Sequence, residues 1–105
     1  MILNGIEHFG GLEFALFKLR QGVSEAQLLT LAREVEEKFL ATKEGLLGHF
    51  LLKGDGGVYA DVALASTPEI AKAICNEWME NETTLKYLEV IDMDSVEMSF
   101  WERIG

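Results

Sequence analysis

Several residue types are scarce in this chain of 105 residues, and each scarcity excludes a class of protein. Cys75 is the only cysteine, so neither an internal disulfide nor a cysteine-based zinc site can form. There is a single proline and no low-complexity segment, while 49% of the residues are hydrophobic. This composition is typical of one compact globular domain and not of a disordered chain.

Positive charge is also scarce. Nine lysines and arginines stand against 18 acidic residues, for a net charge of -9. Such a charge repels nucleic-acid phosphates and anionic membrane surfaces, so we expect neither as a partner. The first six residues lack the basic start and long apolar run of a signal peptide, and no apolar run approaches the roughly 18 residues that a membrane span needs. We therefore expect a cytoplasmic protein.

The first half of the chain predicts a strand, a helix and a hairpin. Residues 1–11 carry no sustained periodicity and are expected to form a loosely ordered lead-in to a single domain at 12–105. After a strand at 12–20, Ser24 opens a helix with Gln27 completing a capping box, and Gly45 ends it. Strands at 46–53 and 58–65 flank a glycine-rich turn.

The second half repeats the order of helix and strand. Pro68 belongs to a helix start, Asn81 marks a break, and a short helical piece follows that we expect to include Ile91. The last predicted strand is 96–104. The order predicts an α+β, ferredoxin-like βαββαβ fold. Its four-stranded antiparallel sheet should have helices on one face and strands in the order four, one, three, two.

The two faces of this sheet differ in character, because alternate strand residues point to opposite sides. The even-numbered strand residues are almost all apolar, so we expect the helices to cover them. They are Phe14, Leu16, Phe50, Leu52, Val58, Ala60, Val62, Leu64, Val96, Met98 and Phe100. The odd-numbered residues mix charge with aromatic and aliphatic bulk, which favours an open face that is covered by a second copy of the chain.

The chain resembles a known group at three places. They are residues 17–24 at the first strand-to-helix junction, Gly45 to Gly48 entering the second strand, and the Asp61 strand running into Ala65 and Ser66. The resemblance is to the dimeric α+β barrel superfamily, and within it to antibiotic-biosynthesis-monooxygenase-like and stress-responsive A/B-barrel proteins. It implies a homodimer through the open sheet face. The superfamily includes cofactor-free monooxygenases, haem-degrading enzymes and isomerases.

Two residues on the odd face are candidate catalytic groups. If the hairpin pairs residues of like parity, His49 falls opposite or diagonal to Asp61. A histidine held by a carboxylate can act as a general base near neutral pH. The alternatives are a histidine that only hydrogen-bonds and a metal or haem ligand, for which no ligand spacing is recognisable. Five odd-face residues are the candidates for substrate binding: Glu13, Tyr59, Glu97, Ser99 and Trp101.

These expectations lead to one function with an alternative. The first is a small-molecule enzyme or binding protein of the monooxygenase-like type, acting on a hydrophobic aromatic compound in a cleft between the sheet and the partner subunit. It would need no tightly held cofactor and no metal. The alternative is a non-catalytic dimeric module with a structural or stress-related binding role.

Overall fold

The computed structural model describes residues 1–105. A polar residue caps the start of each of its three helices. Helix α1 (Glu25–Lys38) starts with the predicted capping box, in which the Ser24 side chain accepts from the Gln27 backbone N–H and the Gln27 side chain accepts from that of Ser24. Thr67 caps α2 (Pro68–Glu77), and Asn81 caps α3 (Glu82–Leu88). Helix α1 ends earlier than predicted, because Phe39 leaves the helical conformation and a 3₁₀ turn follows at Leu40–Thr42.

The sheet has the predicted composition and order. Its strands are β1 (Gly11–Leu19), β2 (Leu46–Lys53), β3 (Val58–Ala65) and β4 (Ile91–Glu102). They run antiparallel in the spatial order β2-β3-β1-β4. This arrangement confirms the predicted ferredoxin-like α+β fold.

Strand β4 begins at Ile91 and not at residue 96, so the prediction that Ile91 is helical is wrong. Ile91 pairs with Leu19 and Asp92 with Lys18, after which the register shifts. At the shift the Ser95 hydroxyl accepts from the Lys18 backbone N–H at 2.8 Å. Residues 92–95 are mostly polar and interrupt the alternation of polar and apolar residues by which a strand is recognised in sequence.

The predicted assignment of the two faces of β1, β2 and β3 is wrong. The helices cover the odd-numbered residues, since Phe17, Tyr59 and Ala63 belong to one buried core with Leu28 of α1 and Ile74 of α2. The even-numbered residues of these strands therefore form the uncovered face; they include Leu12, Phe14, Leu16, Phe50, Leu52, Val58 and Leu64. His49 and Asp61 misled the prediction, because their charges are paired in the interior.

Strand β4 has the opposite parity from β1. Leu12 pairs with Trp101 and Phe14 with Ser99, and residues that pair directly point to the same side of a sheet. Glu97, Ser99 and Trp101 thus lie on the uncovered face, while Met98 and Phe100 lie on the helix side. The prediction that the helices cover the even-numbered strand residues therefore holds for β4 alone.

Close contacts fix other segments to the sheet. A Cβ atom on Gly11 would come within 2.5 Å of Pro68 backbone atoms, so the absence of a side chain lets α2 begin directly over β1. Before β1, the chain forms a 3₁₀ turn at Ile6–His8, and the Met1 carbonyl accepts from the His49 N–H at 2.9 Å. A domain boundary at residue 11 stays a prediction. No helix is long and apolar enough to cross a membrane.

Candidate small-molecule site

A buried histidine and a carboxylate meet across the neighbouring strands β2 and β3. His49 pairs with Ala63 and Leu51 with Asp61, so residues of like parity face each other and His49 lies diagonal to Asp61. The His49 Nε2 and Asp61 Oδ1 atoms are 2.5 Å apart. The predicted contact between these two side chains is therefore confirmed, although on the face that the helices cover.

A second carboxylate holds the other side of the His49 ring. Glu36 of α1 places Oε2 2.8 Å from His49 Nδ1, and His49 is only 1% exposed. Burial alone would lower the pKa of His49, but the charges and hydrogen bonds of Asp61 and Glu36 raise it to about 9. At neutral pH both ring nitrogens carry protons, and each donates to one carboxylate.

Asp61 is further held by a tyrosine from α3. The Tyr87 hydroxyl donates to Asp61 Oδ2 at 2.7 Å. Burial and the neighbouring Asp61 charge raise the pKa of Tyr87, which keeps the phenol neutral and donating. The chain of contacts Glu36, His49, Asp61, Tyr87 thus ties α1 and α3 to the sheet.

A cavity of about 270 Å³ opens beside Asp61 and Tyr87, between the helix side of the sheet and the segment from α2 to α3. Its wall is almost wholly apolar and includes Ala15, Phe17, Trp78, Met79, Leu88, Ile91, Met93, Val96 and Met98. Trp78 packs edge-on against Tyr87 with ring centroids 5.6 Å apart. The three methionine side chains line the cavity and are also exposed to solvent, so they form a flexible rim around its opening.

One end of the cavity is acidic. Glu13 and Asp61 line it together, beside the Cys75 thiol. Glu13 is 9% exposed, and burial, reinforced by the Asp61 charge and opposed by that of His49, raises its pKa to about 7. Burial and the Glu13 charge raise the pKa of Cys75 to about 11, so its thiol stays protonated. Glu13 is therefore the cavity group that changes charge near neutral pH.

The seven residues predicted for the site fall into separate places. Glu13, His49 and Asp61 come together, but His49 stands behind Asp61 and does not line the cavity. Tyr59 is buried against Phe17, with its hydroxyl donating to Glu25. The remaining three predicted residues, Glu97, Ser99 and Trp101, lie on the uncovered face of the sheet.

Sequence reasoning missed several residues of this site. Glu36 follows the buried Ala32 by four positions, so its place beside the apolar stripe of α1 was a usable signal. Tyr87, Trp78 and Cys75 carry no comparable signal, because an aromatic residue or a lone cysteine on a helix is as typical of a core as of a site. No group of three or more histidine, cysteine or acidic side chains is arranged to hold a metal ion.

Comparison with known proteins relates the chain to others by structure. No protein-family model and no curated protein sequence matches it. A monooxygenase from the gene ActVA-Orf6 of Streptomyces coelicolor, solved with the ligand nanaomycin D, superposes with a TM-score of 0.72 and 13% identity, over 96% of this chain and 95% of that one. SnoaB, a cofactor-independent oxygenase from Streptomyces nogalater, gives 0.65 and 13%, over 91% and 95%.

A conserved protein from Methanosarcina mazei Go1 gives a TM-score of 0.68 and 9% identity, over 97% of this chain and all of that one. Identities this low carry information on architecture and not on chemistry. The chain therefore has the fold of the antibiotic-biosynthesis-monooxygenase-like proteins, as its sequence predicted.

Proposed function

We propose that this protein binds a small hydrophobic aromatic compound in the cavity between the sheet and the segment from α2 to α3. The observation that carries the proposal is an apolar cavity with one ionisable end, the combination expected of a small-molecule site. Its volume of about 270 Å³ lies near the small end of ligand pockets. A compound of one or two rings is the expected size, with its polar group turned toward Glu13 and Asp61.

The proposed site differs from the predicted cleft between the sheet and a partner subunit. That cleft depended on placing His49 and Asp61 on the uncovered face, whereas both lie under the helices. Of the predicted site residues, only Glu97, Ser99 and Trp101 of β4 lie on the uncovered face. The proposal moves the ligand to the opposite side of the sheet.

Where the compound carries an acidic C–H or O–H group, the chemistry of this site is proton transfer to Glu13. The bond to hydrogen breaks, and the ionised carboxylate takes the proton, for which a pKa of about 7 is well matched. His49 acts here as a positioning residue, because it orients Asp61 without reaching the cavity. Oxygenases with this fold, one of them cofactor-independent, support oxidation without a resident cofactor by analogy of fold alone.

The second candidate function is a binding module without turnover. The enclosure of His49 favours it, since both ring nitrogens are occupied by carboxylates and the predicted general base cannot meet a substrate. Binding is common to both candidates. Consumption of a bound compound distinguishes them.

We further propose that a second copy of this chain covers the uncovered face. That face presents Leu12, Phe14 and Leu16 on β1, with the exposed Trp101 beside Leu12 on β4 and the exposed Leu52 on β2. Contiguous apolar surface of this kind is uncommon on monomers and typical of interfaces. The proposed homodimer uses the open side of the sheet, to which β4 contributes the predicted odd-numbered residues and the other strands contribute even-numbered ones.

The test of binding is calorimetric titration with 2-naphthalenemethanol, a neutral two-ring compound. Ala15 is buried in the cavity wall and Ala73 is exposed on α2, so Ala15→Leu and Ala73→Leu make the same change inside and outside the site. We expect saturable binding to the wild type and to Ala73→Leu, and at least tenfold weaker binding to Ala15→Leu. Equal affinity of both variants would place the ligand elsewhere and overturn the proposal.

A further inference from the structure

We propose that the compound bound in this cavity carries a positively charged amine beside its aromatic ring, with Glu13 as the counter-ion. The inference rests on the proposed function, since it concerns the same cavity. It goes further because it names the charge of the ligand, and it depends on the charged groups that surround Glu13.

Glu13 is a carboxyl group with no positively charged partner. It is 9% exposed, it lines the cavity, and it takes part in none of the ion pairs of the chain. The neighbouring Cys75 thiol is a weak donor, and it donates to Met98 Sδ at 3.5 Å. An ionised carboxylate buried in this way is costly unless a cation or strong donors meet it.

The charges around Glu13 do not supply that cation. Four titratable side chains face it from the surrounding elements: His49 of β2, Asp61 of β3, Cys75 of α2 and Tyr87 of α3. Only His49 is positive, and it is paired with Asp61 and with Glu36, which the Met1 ammonium also meets at 3.4 Å. No lysine or arginine lines the cavity. One carboxylate is therefore left over, and a cationic ligand would balance it.

The rest of the cavity suits an aromatic ammonium compound. Phe17, Trp78 and Tyr87 contribute aromatic rings to the wall, and a cation is attracted to the faces of such rings. The same acidic end would repel a carboxylate ligand. A neutral alcohol would hydrogen-bond to Glu13 but would leave its charge unbalanced, so the site should rank amine above alcohol and alcohol above acid.

The test compares three naphthalenes that differ only in the polar group: 2-naphthylmethylamine, 2-naphthalenemethanol and 2-naphthoic acid. Calorimetric titrations are made at pH 6 and pH 8. We expect the amine to bind at least tenfold tighter than the alcohol at pH 8, and the acid not to bind. The amine affinity should rise about tenfold from pH 6 to pH 8, because Glu13 ionises with a pKa of about 7.

Two variants complete the test. Glu13→Gln should lose both the preference for the amine and its pH dependence while still binding the alcohol. Glu69→Gln, an exposed acid on α2, should behave as the wild type. Tighter binding of the alcohol than of the amine at pH 8 in the wild type would overturn the inference and leave the proposed function intact. Failure of all three compounds to bind would overturn both.

Discussion

At the residue scale, two buried groups make the stability of the protein depend on pH. The pKa of Glu13 is raised to about 7 by burial and by Asp61, so folding becomes less favourable as pH rises from the unfolded value near 4.5 through 7. The pKa of His49 is raised to about 9. Its contribution to stability is fully present below the unfolded value near 6.5 and is lost as pH rises through 9.

Removing the charge of Glu13 tests the first of these effects. Glu13→Gln should gain stability relative to the wild type by about 3 kcal/mol between pH 4.5 and pH 8, because the variant no longer ionises in the interior. Urea unfolding of both proteins at several pH values measures the difference. Parallel stability profiles would show that Glu13 is not buried as described, and Glu69→Gln serves as the exposed control.

The raised pKa of His49 can be measured directly on its imidazole ring. A proton NMR titration should find its imidazole titrating near pH 9 in the wild type. Asp61→Asn and Glu36→Gln should each lower that pKa, since each removes a carboxylate and leaves burial less opposed. The exposed His8 ring provides a second histidine signal for comparison. A His49 resonance that ignores both substitutions would contradict the paired-carboxylate arrangement.

The His49 and Asp61 contact could be predicted from sequence only on the condition that the hairpin pairs residues of like parity. The short hairpin makes their strands neighbours, but the register that brings the two side chains together is seen only in the structure. Glu36 and Tyr87 sit on helices, and their distance from His49 depends on how α1 and α3 lie over the sheet. That placement is decided by the whole core and leaves no short-range mark in the sequence.

At the element scale, the strands could be located more reliably than their faces. Strands β2 and β3 have the predicted bounds, because apolar runs and a glycine-rich turn delimit them. The faces were inverted because polarity was taken as a sign of exposure, whereas His49 and Asp61 pair with each other in the interior and Glu13 is buried beside them. In the pairing of β1 with β4, even-numbered residues of β1 face odd-numbered residues of β4, as Leu12 faces Trp101. Alternation within one strand cannot show this pairing.

The packing of α1 gives a prediction at this scale. Phe39 is 2% exposed at the end of α1, edge-on to Trp78, whereas Leu29 is 49% exposed on the same helix. Phe39→Ala should cost about 3 to 5 kcal/mol because it leaves a cavity in the core. Leu29→Ala should change stability by no more than about 0.5 kcal/mol. Denaturant unfolding measures both, and similar losses would contradict the orientation of the helix.

At the scale of the whole molecule, the uncovered face predicts self-association. Trp101 is 59% exposed there, so Trp101→Glu would put a charge into the proposed interface, whereas Leu29→Glu puts the same charge on α1. Light scattering after gel filtration should give a dimer mass for the wild type and Leu29→Glu. Trp101→Glu should shift toward the monomer. A monomeric wild type, or a fully dimeric Trp101→Glu, would exclude this interface.

The most direct test of the central claim is a crystal structure of the protein with 2-naphthalenemethanol. We expect the naphthalene ring between the sheet and the segment from α2 to α3, against Phe17 and Trp78, with the hydroxyl oxygen of the compound within about 3 Å of the Glu13 or Asp61 carboxyl group. A naphthalene ring bound instead on the uncovered face, against Phe14 and Trp101, with the cavity empty, would contradict it.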